Sequence, residues 1–310
     1  MYKFPILAYI ISKKIYKKWS CYTARMEGYM LNFTKMTGLG NDYIYIDCTN
    51  GKNLKNIPEM AKELSDRHFG IGADGLILID KADDGKSDFK MRIFNSDGSE
   101  AEMCGNGIRC VGKFIHDNRM SDSDKISIET LAGVKKLKIL EDEDGNCNEV
   151  IVDMGEPIFH DKNIPYQVYE PFTKDLDLNI EGEKMRFTVL SMGNPHAVTF
   201  VEDLDDLQIE MCGPAVENNP IFPNRTNVEF VEIIDKNNIK VRVWERGVGE
   251  TFACGTGACA AVVACGLNGY TDENVTVKLP GGKLKVEWGK DNHIYMQGPA
   301  TTVYEGELNL

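Results

Sequence analysis

Two cysteines 150 positions apart share their surroundings, and this constrains the chain more than any other feature. Residues 91–107 read Met-Arg-Ile-Phe-Asn-Ser-Asp-Gly-Ser-Glu-Ala-Glu-Met-Cys-Gly-Asn-Gly. Residues 241–257 read Val-Arg-Val-Trp-Glu-Arg-Gly-Val-Gly-Glu-Thr-Phe-Ala-Cys-Gly-Thr-Gly. Without a gap, Arg92 falls on Arg242, Glu100 on Glu250, Cys104 on Cys254, Gly105 on Gly255 and Gly107 on Gly257. One supersecondary unit is written twice: a short strand, a Gly-rich turn, then a Cys at the mouth of a helix.

Apolar residues after Cys104 fall at Ile108, Val111, Phe114 and Ile115, and after Cys254 at Ala258, Ala261, Val262 and Cys265. Both are helical spacings. The second helix is Gly, Ala, Cys and Val almost all round, which predicts full burial. Each Cys then lies at a helix N-terminus, where free backbone N–H groups and the helix dipole favour an anion. A thiol there is expected to have its pKa lowered from about 8.5 toward neutrality. The glycines that follow let a ligand approach the backbone closely.

At 310 residues and 42% hydrophobic content the chain can build sizeable cores. Residues 1–30 hold six of the 35 Lys+Arg and one of the 48 Asp+Glu, so the rest carries 29 against 47. That acidic body argues against nucleic-acid binding. The apolar run from Phe4 to Ile11 is too short to span a bilayer. The first thirty residues read as a weakly helical or unfolded extension, or as an upstream start before Met30. A targeting peptide and a membrane-surface contact are the other readings. Nine Cys, an odd number, fit a reducing compartment rather than a disulfide framework. Cys21, Cys48, Cys147, Cys212 and Cys265 read as packing or surface residues. The spacings Cys104-x5-Cys110 and Cys254-x4-Cys259-x5-Cys265 are not those of zinc sites, and no metal is expected.

From Leu31 the pattern alternates strands and helices. Strands are predicted over 43–47, 76–79, 91–94 and either side of Ala132-Gly133, with a helix over 58–69 and a solvated acidic hairpin tip at 141–146. The second half replays this with strands over 187–190, 197–201, 225–233 and 241–244, a short helix over 204–211, and closing strands over 275–279, 283–288 and 294–297. A duplicated unit packed about a pseudo-twofold axis would bring the two helix mouths to the interface, where small-molecule sites tend to lie.

Two thiols facing each other across a cleft suit inversion of a stereocentre. One group removes the α-proton from one face while the other delivers a proton to the opposite face. The planar carbanion spreads its charge into the α-carboxylate, which two helix N-termini would stabilise. No Lys motif for a pyridoxal Schiff base is evident.

The residues Gly38-Leu-Gly-Asn-Asp, Arg67-His-Phe-Gly-Ile-Gly-Ala-Asp-Gly, Phe94-Asn-Ser-Asp-Gly-Ser, Cys104-Gly-Asn-Gly-Ile-Arg-Cys, Met192-Gly-Asn-Pro-His, Arg225-Thr-Asn-Val, Trp244-Glu-Arg-Gly and Ala253-Cys-Gly-Thr-Gly-Ala-Cys-Ala stand in this order. Together they resemble the diaminopimelate epimerase family from about Leu31 to the end. The resemblance implies an α/β (α+β) fold of two pseudo-symmetric domains, each a β-barrel-like sheet around a central helix. Residues 31–152 with 300–310 would form one domain, 153–299 the other, and 1–30 an extension. It implies a cofactor-independent epimerase of L,L- and meso-diaminopimelate in lysine and peptidoglycan precursor synthesis. The expected partner is that small molecule, with no nucleic acid and no membrane, and a homodimer is open. The expected setting is the cytoplasm, or an organelle if residues 1–30 are a transit peptide.

By matching motifs, Cys104 and Cys254 would be the acid/base pair. The backbone of Gly105-Asn106 and Gly255-Thr256 would hold the reacting carboxylate. Asn41, Asn95, Asn194, Asn227, Glu245 and Arg246 would line the site, and His196 and Glu245 would bias the proton balance. Members of the family often carry Gln at the position of Gly75, which is therefore left out of the site. Blander readings stand beside these: Asn41 and Asn194 as left-handed turn residues, Asn95 as a turn cap, Arg246 paired with Glu250, and His196 as a satisfied core histidine. His68 and His116 read as structural. Proline racemases share the two-Cys layout but have His where this chain has Asn106, and a non-catalytic thiol redox protein would have no use for the Asn set. Removal of residues 1–29, which lie outside the repeat, is expected to leave turnover on diaminopimelate unchanged; loss of folding in the shortened protein would show that they pack on the body.

Overall fold

The computed structural model describes residues 30–51, 54–159 and 173–309. The expectations for residues 1–29, and most of the Pro-containing stretch after Gly155, lie outside these. The elements in chain order are β1 (Met30–Gly38), β2 (Asn41–Asp47), α1 (Ile57–Ser65), β3 (Gly75–Lys81), β4 (Phe89–Asn95), β5 (Glu100–Ala101), α2 (Gly105–Asp117), β6 (Lys125–Thr130), β7 (Gly133–Glu141) and β8 (Cys147–Gly155). They continue as β9 (Thr173–Ile180), β10 (Glu183–Ser191), β11 (Pro195–Phe200), α3 (Ile209–Glu217), β12 (Asn227–Asp235), β13 (Asn238–Glu245), β14 (Gly249–Thr251), α4 (Gly255–Leu267), β15 (Asn274–Leu279), β16 (Gly282–Trp288), β17 (Ile294–Pro299) and β18 (Thr301–Asn309).

The pairing pattern is the same in both halves. β2 runs parallel to β3, β3 antiparallel to β4, and β4 parallel to β6, which continues antiparallel through β7 to β8. β11, β12, β13, β15, β16 and β17 repeat those steps in the same senses. The halves join where β8 pairs antiparallel with β17. The last strand, β18, returns to pair with β1, as β9 pairs with β10 in the second half.

Each half wraps its sheet around one helix. Ile108, Val111 and Ile115 of α2 and Ala258 through Cys265 of α4 are at most 1% exposed. Small side chains let α4 be buried on all sides. The two helices share one apolar cluster with Met154 and Met296 at the seam.

Two helices differ from the sequence expectation. α1 ends at Ser65 rather than Phe69, because the Asp66 carboxylate accepts the backbone N–H groups of His68 (2.7 Å) and Phe69 (2.9 Å) and turns the chain. α3 spans Ile209–Glu217 rather than 204–211. Side chains take the donors that would start it earlier: Leu204 N–H goes to Glu232 (3.2 Å) and Asp205 N–H to Asp203 (2.8 Å).

α3 ends on a buried hub. The Glu217 carboxylate accepts from Arg225 Nη1 (3.0 Å), Trp244 Nε1 (2.7 Å) and the backbone N–H of Gly247 (2.8 Å). It thereby ties α3 to the turn that carries Arg246. Glu217→Ala leaves these donors unpaired and is expected to cost about 2–4 kcal/mol. The urea midpoint measures this; a change under about 0.5 kcal/mol would show the hub is not structural.

Candidate active site

Cys104 (φ −136°, ψ 116°) caps the N-terminus of α2, and Cys254 (φ −114°, ψ 117°) caps that of α4. Extended backbone at each cap directs the first turn's N–H groups into a cleft of about 900 Å3. Both cysteines line it, together with Gly105, Asn106, Gly255 and Thr256 from the helix mouths. Asn41, Asn95, Asn194, Glu245 and Arg246 also lie on its walls. His196 and Asn227 stand behind the wall, 0% and 4% exposed. A second hollow, of about 760 Å3, lies on the outer face of β6–β8 and β15–β17 and holds neither thiol.

Matching turns present Asn41 and Asn194. Gly40 (φ 89°) and Gly193 (φ 96°) supply the left-handed backbone, so neither Asn is needed for it. Asn41 Nδ2 donates to Asp74 (2.8 Å), and its Oδ1 accepts from Cys104 Sγ (3.2 Å). Asn194 Nδ2 donates to Thr256 Oγ1 (3.3 Å), which lies 3.5 Å from Cys254 Sγ. Its Oδ1 faces His196 Nε2 at 2.9 Å.

The remaining groups are fixed by neighbours. Asn106 Nδ2 donates to Ala253 O (2.8 Å), tying the first helix mouth to the residue before the second cysteine. Asn227 accepts the backbone N–H of Arg246 (2.9 Å) and so sets the loop rather than the wall. Arg246 Nη1 reaches Asn224 O (3.2 Å); Glu250 pairs with Arg242 instead (2.7 Å), so the alternative Arg246–Glu250 pair does not form. Asn95 Nδ2 donates to Ser99 Oγ (3.0 Å), as the turn-cap reading asks, while still lining the cleft. Glu245 accepts from Thr251 Oγ1 (2.6 Å), and burial pushes its carboxyl up.

The expectation of acidified thiols is overturned. Burial pushes Cys104 above the ordinary thiol range, although the N–H of Gly107, 3.3 Å from its sulfur, works the other way. Cys254 is pushed up further, by burial and then by the Glu245 carboxyl. Loss of hydration outweighs the field of a single helix mouth.

Three further side chains stand at the cleft. Tyr43 lies beside Cys104, its phenol raised well above normal by burial and by that thiol. Asp74 is held by Arg67 (2.8 Å), which also holds Asp42 (2.7 Å). Burial raises Asp42, but Arg67 and Lys35 outweigh it and keep the carboxyl low. Tyr43 stands two residues after Asn41, hence on the same strand face, and that spacing was the signal in the sequence.

A family model described as diaminopimelate epimerase matches residues 33–160 and 188–303. The diaminopimelate epimerase of Acetivibrio thermocellus is 53% identical over 281 residues, covering 90% of this chain and 99% of its own. That of Methanococcus maripaludis is 55% identical, covering 90% and 100%. Among solved structures, a Bacillus anthracis phenazine biosynthesis protein of the PhzF family (18% identical, TM-score 0.64) covers 91% of this chain and 100% of its own. A hydroxyproline epimerase from Agrobacterium vitis (15% identical, TM-score 0.64) covers 91% and 93%. These two share the fold.

Gly75 has a steric reason. A Cβ there would lie 2.2 Å from Phe94 O and 2.9 Å from Tyr43 Cε1. The backbone oxygen cannot swing aside, so any side chain must displace β3 from β4. Gly75→Gln is expected to destabilise the protein by about 2 kcal/mol or more; an unchanged urea midpoint would mean that the strands yield.

Proposed function

From the membership of this chain in the diaminopimelate epimerase family, we propose that Cys104 and Cys254 are the acid/base pair that inverts the α-carbon. The chain is an isomerase that epimerises diaminopimelate, a step of lysine biosynthesis. The observation that carries the two-thiol reading is that both cysteines cap buried helices whose mouths open on one cleft.

One thiolate takes the α-hydrogen as a proton, leaving the bonding pair on carbon. The charge spreads into the α-carboxylate, which faces the N–H groups of Gly105-Asn106 and Gly255-Thr256. The opposite thiol gives its proton to the same carbon. The pair ends with thiol and thiolate exchanged, and exchange with solvent restores it. Arg246, with a planar fork suited to a carboxylate, would read the distal amino-acid end with Asn41, Asn95 and Asn194. Asn227 would act by holding the Arg246 loop, and His196 and Glu245 by biasing the proton balance between the thiols. In this reading residues 31–152 with 300–310, and 153–299, are the two halves that each present one thiol.

The enzyme acts on a small molecule, and no helix among the described residues is long and apolar enough to cross a membrane. A cytoplasmic setting, supported by bacterial and archaeal relatives, and a homodimer belong to the proposal.

Cys104→Ala and Cys254→Ala are each expected to fold and to lose about a thousandfold or more in kcat/KM. In deuterated water, early product from one isomer should carry deuterium at the inverted carbon while unreacted substrate stays protiated. Substantial retention of the original α-hydrogen in product, or near-normal turnover by either variant, would sink the two-thiol reading.

A further inference from the structure

The two thiols sit in one duplicated frame, but the frame is not chemically symmetric. The parallel pairs Tyr43–Gly75 and Tyr45–Ile77 in the first half correspond to His196–Asn227 and Val198–Glu229 in the second. Ile77 and Glu229 therefore hold equivalent positions. Sterics agree: a Cβ on Gly107 would meet Ile77 Cδ1 at 2.8 Å, and one on Gly257 would meet Glu229 Oε1 at 2.8 Å. Each side chain lies beneath the first turn of its helix. The point that is 2.8 Å from Glu229 Oε1 is also 3.4 Å from Cys254 Sγ, which puts a carboxyl within a few ångströms of the second thiol.

Glu229 is 0% exposed. Its Oε1 lies 2.7 Å from His196 Nδ1, and its Oε2 has no hydrogen-bond partner. His196 Nε2 faces Asn194 Oδ1, an acceptor, so that nitrogen carries a proton. A single proton must then lie along the bond between Nδ1 and the carboxyl. The titratable groups facing this carboxyl are His196 from β11, Glu245 from β13 and Cys254 at the mouth of α4. Around Cys104 stand Tyr43 and Ile77, and the Glu245 carboxyl of β13 reaches this thiol as well; Asp74, on the same wall, is bonded to Arg67. Gly107 N–H donates to Cys104 Sγ, and Cys254 Sγ lies 3.5 Å from Thr256 Oγ1.

We propose that Glu229 is a positioning residue for the second half-site: paired with His196, it keeps a carboxyl beneath the α4 mouth that makes Cys254 hold its proton longer than Cys104. Cys104 is then the first thiolate formed, and Cys254 the first proton donor. This rests on the two-thiol reading for its catalytic meaning, but the order of ionisation stands apart from it.

The test is the pH dependence of alkylation by iodoacetamide, with Cys104 and Cys254 followed separately by peptide mass mapping in the full chain. In the wild type Cys104 should react at lower pH than Cys254. Glu229→Gln keeps the size and a hydrogen bond to His196 but removes the carboxyl, the group that can carry negative charge beneath Cys254. It should lower the Cys254 midpoint by about one pH unit and leave that of Cys104 unmoved. In the same variant kcat should change its pH profile while KM stays within about twofold. Glu229→Asp should restore part of the wild-type order. A Cys254 curve that does not move, or two curves that move together as general loosening would make them, overturns the proposal. So does a wild type in which Cys254 ionises first, which decides the matter even if the variant folds poorly. Failure of the two-thiol reading is seen separately, as turnover retained by a Cys→Ala variant.

Discussion

The meeting of two helix N-termini is the constraint on which the rest of the molecule depends. A Cβ on Gly105 would lie 3.4 Å from Gly255 Cα, and one on Gly255 3.3 Å from Gly105 Cα, with Met296 pressed against both. A side chain at either position would press on the other mouth and on Met296, so glycine at both keeps the approach close. Arg109 stabilises the contact from below. It is 0% exposed and spends its guanidinium on Gly105 O (3.2 Å), Asn106 Oδ1 (2.9 Å) and Pro299 O (3.3 Å). Asn106 in turn reaches the carbonyl before Cys254. A cation without a carboxylate partner is costly to bury, and here its donors are bonded to the groups that define the cleft.

Around that contact the sheets are arranged by duplication. The ion pairs Arg92–Glu100 and Arg242–Glu250, each at 2.7 Å, staple the same strand to the same turn in both halves. Such pairs contribute modestly to stability. They fix the short strand before each cysteine, so each thiol reaches the cleft by the same path. Equal scaffolds deliver unequal surroundings: Asn95 stands where the second half has Glu245, Tyr43 where it has His196, and Ile77 where it has Glu229. The duplicated fold thus gives the two cysteines matched geometry and different linings.

Electrostatics in the free protein oppose ionisation of either thiol. Burial raises both thiols, the Glu245 carboxyl raises both as well, and Glu229 acts on Cys254. The helix mouths offset this only in part, through the N–H of Gly107 at Cys104. Their larger effect would fall on an anion lying across both mouths, where donors from two helices converge on one charge.

The sequence by itself determined the repeat, both cysteine helices and most strands, because these depend on local periodicity and on a pattern written twice. Buried α4 was legible from its Gly, Ala, Cys and Val composition, and the turns from Gly40 and Gly193. The tertiary structure decided what depends on groups distant in the chain. α3 starts late because Glu232, from another strand, takes Leu204 N–H. β9 alternates Leu176, Leu178 and Ile180 with polar residues, and pairing with β10 gives that short pattern its place in the sheet. The thiol acidity reversed in sign because dehydration is set by everything packed around a residue, whereas the helix dipole is visible in local sequence alone. Asn227 moved from wall to support for the same reason. Glu229 became meaningful only when two parallel strand pairs set it opposite Ile77 beneath a cysteine that is 25 positions away in sequence.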